Sequence, residues 1–110
     1  MMNLSEQKCV ACEGGMPPLT ENEIMVFKPH VDKAWVVSED NKHITREFTF
    51  INFKEAMVFV NRVADIAELE GHHPDIRLYS YKNVSIDLWT HALNGLSEND
   101  FIVASKIDRI

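Results

Sequence analysis

The period with which apolar positions recur changes several times along this chain, and each change marks an element. Asn52-x-x-Glu55 has the spacing of a helix capping box. Behind it Phe53, Ala56, Met57, Val60, Val63, Ala64 and Ala67 recur at i, i+3, i+4 and i+7, the stripe of one helix face. The spacing predicts a long helix that Gly71 closes in the left-handed conformation, leaving His72-His73-Pro74 at its C-terminus. Thr20-x-x-Glu23 repeats the cap and predicts a shorter helix from Glu21 to near Pro29, which cannot continue it. Ser97-x-x-Asp100 is a third cap, before a helix over Phe101 to Ile110 that carries apolar Phe101, Val103, Ala104, Ile107 and Ile110.

Between the helices the period falls to two. Ala34 to Ser38 is apolar, Glu39-Asp40-Asn41-Lys42 is turn material, and Ile44, Arg46, Phe48 and Phe50 alternate with Thr45, Glu47 and Thr49, so a β-hairpin is expected. Ile76 to Tyr81 and Val84 to Thr90 predict a second hairpin turning at Lys82-Asn83. Its second strand sets Val84, Ile86, Leu88 and Thr90 on one face and Ser85, Asp87, Trp89 and His91 on the other. The order α-β-β-α-β-β-α, with no parallel crossover, implies an α+β fold: a four-stranded antiparallel sheet with helices packed on one face. Residues 20–110 are read as one domain and 1–19, with Gly14-Gly15 and Pro17-Pro18, as an extended N-terminal arm. Open sheet edges favour assembly into a homo-oligomer, a dimer or tetramer.

Composition narrows the function classes. A chain of 110 residues supports one hydrophobic core and hence one site. Asp and Glu total 17 against 11 Lys and Arg, and the net charge of −6, without a basic patch, works against nucleic acid and anionic membranes. No apolar run approaches the roughly 20 residues of a membrane span, and Met1-Met2-Asn3-Leu4-Ser5 lacks the order of a signal peptide, so a cytoplasmic location is expected. Cys9 and Cys12 form a lone Cys-x-x-Cys. A structural zinc site wants a second ligand pair and a redox dithiol wants a strand before it, so a plain terminal arm is the expectation.

The chemistry concentrates on histidine. With a turn at Lys82-Asn83, Tyr81 faces Val84 and the antiparallel ladder sets Pro74 opposite His91, within side-chain reach of His72 or His73 across strands about 4.8 Å apart. Trp89, on the same strand face as His91, offers a flat wall that suits flat aromatic ligands. Glu68 precedes His72 by one helical turn and could orient an imidazole. Three readings stand side by side: a helix-stop sequence without chemistry, a transition-metal site on His72, His73, His91 and Glu68, or an acid/base pair of the kind a dehydration needs. His30 and His43 are read as surface residues, and Trp35 as core or as a rim of the same pocket.

Glu68-x-x-x-His72-His73-Pro74, Tyr79 or Tyr81, Trp89-Thr90-His91 and Gly95-Leu96-Ser97-Glu98-Asn99-Asp100 resemble the pterin-4a-carbinolamine dehydratases. Phe53-Lys54-Glu55-Ala56-Met57-Val58-Phe59 is similar to the opening of that family's long helix, and the arm with Cys9-x-x-Cys12 and Pro17-Pro18-Leu19 to that of bacterial members. The resemblance implies removal of water from 4a-hydroxytetrahydropterin to give quinonoid dihydropterin, recycling the pterin of aromatic amino acid hydroxylases, with no metal or organic cofactor. It implies His72 and His91 as the acid/base pair, His73 as a substrate-positioning residue, and Glu68, Pro74, Trp89, Thr90 and Asp100 around the substrate. An aromatic amino acid hydroxylase is the implied partner. The rival classes are a pterin-binding module without turnover and a protein-interaction module, since an animal member of the family binds a transcription factor.

Overall fold

The computed structural model describes residues 3–10 and 16–110. Cys12, and with it the Cys-x-x-Cys pair, lies outside the described residues. Each helix begins where its cap was expected. Thr20 Oγ1 accepts from the Glu23 backbone N–H at 3.2 Å while Glu23 Oε1 accepts from that of Thr20 at 2.9 Å, which starts α1 (Glu21–Phe27). Asn52 Oδ1 accepts from the Glu55 N–H at 2.8 Å and starts α2 (Phe53–Glu70), which Gly71 ends at φ 65° and ψ 27°. The third cap opens α3 (Glu98–Ile107).

Strands β1 (Val36–Val37), β2 (Ile44–Thr49), β3 (Asp75–Tyr79) and β4 (Asn83–Leu88) form one antiparallel sheet in the order β1-β2-β4-β3. The α+β architecture expected from the sequence is therefore the one observed. Ile44, Val84, Ile86 and Leu88 point from the sheet into a core that α2 closes with Ala56, Phe59 and Val63 and α3 with Phe101, Val103 and Ile107. Each such side chain, fully removed from water, contributes about 1.5–3 kcal/mol. Trp35 belongs to this core at 1% exposure, and its indole N–H donates to Asp108 Oδ1 at 2.8 Å.

Three expectations need correction. The second hairpin turns through Ser80, Tyr81 and Lys82, because Tyr79 pairs with Asn83. Ser80 and Tyr81 hold φ of 47° and 54°, a left-handed conformation that side chains with a Cβ seldom adopt and that no glycine advertised. The ladder is thereby displaced by three positions: Asp75 faces Asp87, so Pro74 does not stand opposite His91. On α2 the buried stripe is Ala56, Phe59, Val63, Ala67 and Glu70, whereas Phe53, Met57 and Ala64 are exposed, since the apolar arc is wider than the strip the sheet covers. Ile110, expected on the apolar side of the last helix, lies beyond its end and is 42% exposed.

The segment read as an extended arm also contributes to the core. Leu4, in a short 3-10 turn, is 1% exposed, and the chain then crosses the end of α2. There Glu70 Oε1 accepts from the Cys9 N–H at 2.9 Å and Oε2 from Lys106 Nζ at 2.8 Å. Gly95 closes the other end of this layer: a Cβ there would stand 2.7 Å from Pro18 Cβ, so only glycine lets the two segments approach.

Burial of Glu70 works to raise its pKa, yet the hydrogen bonds from Lys106 and Cys9 and the charges of Lys106 and Lys8 outweigh it and hold the group below its ordinary 4.5. A folded pKa below the unfolded one stabilises the fold above about pH 4.5 and ceases to do so as pH falls through the folded value. Glu70→Gln should therefore cost about 2 kcal/mol in urea unfolding at neutral pH, and the gap to the unsubstituted protein should close as the pH is taken below 4.5. A gap independent of pH would show that the carboxylate charge is not what holds the arm.

Candidate active site

The left-handed Gly71 turns the chain out of α2 and delivers His72 against the start of α3. His72 Nε2 donates to Asp100 Oδ1 at 2.6 Å; the imidazole is 13% exposed and the carboxylate wholly buried. Asp100 Oδ2 accepts from Thr90 Oγ1 at 2.8 Å and from the Ser97 backbone N–H at 2.9 Å. Because the Thr90 proton goes to Asp100, the Ser97 hydroxyl, 2.7 Å from Thr90 Oγ1, is the donor in that contact. The cap of α3 thus serves a second end: the carboxylate that receives the Ser97 N–H also fixes the ring of His72. With Nε2 engaged, Nδ1 of His72 is the nitrogen left for proton exchange.

His73 and Glu68 form an exposed pair, with Nε2 donating to Oε2 at 2.6 Å and side-chain exposures of 59% and 78%. Glu68 therefore orients His73 and not His72. In so exposed a position the pair restrains the ring without adding much stability. His91 does not continue β4. After Leu88 the chain makes a bridge from Thr90 to Gly95, and His91 opens the 3-10 turn His91–Leu93 that Asn94 closes at φ 51°. The His91 ring lies 3.9 Å from the Trp89 indole, centroid to centroid, and is exposed.

These segments form a cavity of about 610 Å³ whose lining includes His72, His73, Pro74, Trp89, Thr90 and His91, together with Val10, Glu70 and Asn99. Such a volume suits a small heterocyclic ligand. The histidines converge, although the displaced register means that the turn after β4 brings His91 there and not the ladder itself. Asp100, expected beside the substrate, is 0% exposed and acts on the cavity through His72. Glu68 does not line the cavity and reaches it only through His73. Among the described residues, no three His, Cys, Asp or Glu side chains are grouped to hold a metal ion. A second, more apolar cavity of about 360 Å³ lies between the arm and α3, against Met16, Pro17, Leu19, Leu96 and Ile102, and carries no imidazole.

Several residues of the site escaped the sequence reading. Asn99 clamps the arm against the cavity, accepting from the Val10 N–H at 3.1 Å and donating to the Val10 carbonyl at 2.5 Å. His43, expected at the surface, is half-buried and stacks on Trp89 at 4.7 Å. His43 directly precedes the buried Ile44 and so falls on the outer sheet face, and the non-sequential pairing of β2 with β4 puts it beside Trp89. His30 is exposed, as read.

Comparison with known proteins identifies the family of the chain. Residues 17–110 match the family model described as pterin 4 alpha carbinolamine dehydratase. A protein of Alkaliphilus metalliredigens, provisionally named a pterin-4-alpha-carbinolamine dehydratase, is 47% identical over 99% of this chain and 96% of its own. One from Rickettsia canadensis with the same provisional name is 44% identical over 98% of this chain and 97% of its own. The crystal structure of a transcriptional coactivator/pterin dehydratase from Brucella melitensis superposes with a TM-score of 0.76 at 34% identity, covering 84% of this chain and 96% of that one. With the family model matching residues 17–110 and relatives this similar over nearly their whole length, the chain belongs to the pterin-4a-carbinolamine dehydratase family.

Proposed function

We propose that the protein is a lyase that removes water from 4a-hydroxytetrahydropterin to give quinonoid dihydropterin, with His72 and His91 as its acid/base pair. The observation that carries this reading is the cavity in which a carboxylate-anchored imidazole and a second, exposed imidazole face the same space beside an indole. The reaction breaks the bond from the ring carbon to its hydroxyl. One imidazolium gives that oxygen a proton, so that it leaves as water, and a neutral imidazole takes the proton from the adjacent ring nitrogen, whose electron pair forms the new double bond. Protons and electrons balance without an oxidant. His73, restrained by Glu68, positions the pterin from the rim, Pro74 and Thr90 line its seat, and Trp89 supplies the flat wall on which the ring lies.

Asp100 holds one tautomer of His72 and so leaves Nδ1 to work on the substrate. Recycling of the pterin for an aromatic amino acid hydroxylase is the role that this product fits. The exposed Phe53, Met57 and Val58 of α2 and the open edge of β3 also support self-association, because an apolar helix face and an unpaired edge are both stabilised by a second copy.

Stopped-flow decay of the 4a-carbinolamine should be accelerated by the protein, equally before and after treatment with a chelator. His72→Ala and His91→Ala should each lower kcat on the order of 10²- to 10⁴-fold with circular dichroism unchanged; rates like those of the unsubstituted protein in both would refute the acid/base assignment. Asp100→Asn should keep the fold but lower kcat about tenfold or more, since an amide in place of the carboxylate no longer selects the His72 tautomer. Sedimentation equilibrium should give a mass above that of one chain, and Met57→Glu should shift it towards the monomer; a monomer in both would remove the self-association.

A further inference from the structure

His43 stands one residue before β2 and Trp89 one residue after β4, so the register that pairs Ile44 with Leu88 sets the two side by side, on the sheet face turned away from α2 and α3. Asp87 lies diagonally across on the same face. The His43 Nδ1–H reaches both oxygens of its carboxylate, at 2.9 and 3.1 Å, and the two side chains are only 30% and 32% exposed. The backbone of His43 is fixed as well: its N–H donates to Ser38 Oγ at 3.0 Å and its carbonyl accepts from the Ser38 N–H at 2.9 Å. A ring held at both its nitrogen and its backbone makes a firm support. That ring stacks on the Trp89 indole at 4.7 Å with 27° between planes, and the indole in turn touches His91 at 3.9 Å.

Neither His43 nor Asp87 lines the cavity. Trp89 and His91 both do, and the indole has no hydrogen bond among the described residues to fix its rotamer. We propose that His43, anchored on Asp87, is a positioning residue that sets the Trp89 indole, and through it His91, against the ligand. The proposal rests on reading the cavity as a pterin site. What His43 supplies is a plane: stacking fixes the tilt of the indole, and the indole limits the rotation of an imidazole that the 3-10 turn otherwise leaves exposed.

The test compares His43→Ala, which removes the plane, with His43→Phe, which keeps the plane and gives up the bond to Asp87. In the carbinolamine assay His43→Ala should lose about threefold to tenfold in kcat/KM, the scale of one aromatic pair, and His43→Phe should recover most of that loss. The indole N–H resonance of Trp89, assigned by its absence in Trp89→Phe, should shift and broaden in His43→Ala and return to a sharp line in His43→Phe. Binding of biopterin, followed by its own fluorescence, should weaken in parallel. Unchanged kinetics, biopterin affinity and indole line in His43→Ala would overturn the proposal, as would a His43→Phe variant no better than His43→Ala. If the unsubstituted protein fails to accelerate carbinolamine decay, the catalytic reading falls on its own, and the indole line with biopterin affinity still decides whether His43 sets the wall.

Discussion

A carboxylate with no exposed surface is the constraint around which this molecule is arranged. Asp100 is 0% exposed, and an ionisable group so placed is tolerated only when donors replace the water it has lost. Those donors come from three separate stretches: Thr90 beyond the end of β4, Ser97 at the start of α3 and His72 beyond the end of α2. Satisfying one buried charge therefore brings together the ends of three elements, and the cavity is the space they leave between them. The catalytic geometry proposed for His72 is a by-product of solving a solvation problem.

How much of this the sequence foretold depended on the range of the interaction. The caps of α1, α2 and α3 and the left-handed end at Gly71 were legible because each is decided within four or five residues. The second hairpin was misread because Lys82-Asn83 has the composition of a tight turn, whereas the chain turns one step earlier through Ser80 and Tyr81 in a conformation that their side chains do not announce. The exposed half of the α2 stripe looked like core because periodicity reports which residues are apolar and not which of them the sheet has room to cover. His72, His73 and His91 could be picked out by residue type, although the register expected to bring His91 to Pro74 was not the one formed. His43, Asp87 and Asn99 could not, since their roles arise from β2 lying against β4 and from the arm lying against α3.

The two flanks of the cavity are stiffened by different physics. On the arm side, Glu70 and Asn99 grip the backbone of Cys9 and Val10, while the buried Leu4 anchors the arm in the core. On the sheet side, His43, Trp89 and His91 are joined by ring contacts, which fix angles more than positions. A ligand entering between them meets one wall set by hydrogen bonds and one set by stacking.

The pairing of β2 with β4 joins Ile44 to Leu88, and every hydrogen bond to Asp100 crosses from one element to another or caps the last helix. Contacts as distant along the chain as Ile44 with Leu88, or His72 with Asp100, carry a larger loop-closure cost than the caps and hairpins do. Without those contacts the histidines are ordinary, independently moving side chains. They become a site only where α3, packed against α2, holds the buried Asp100 within reach of His72.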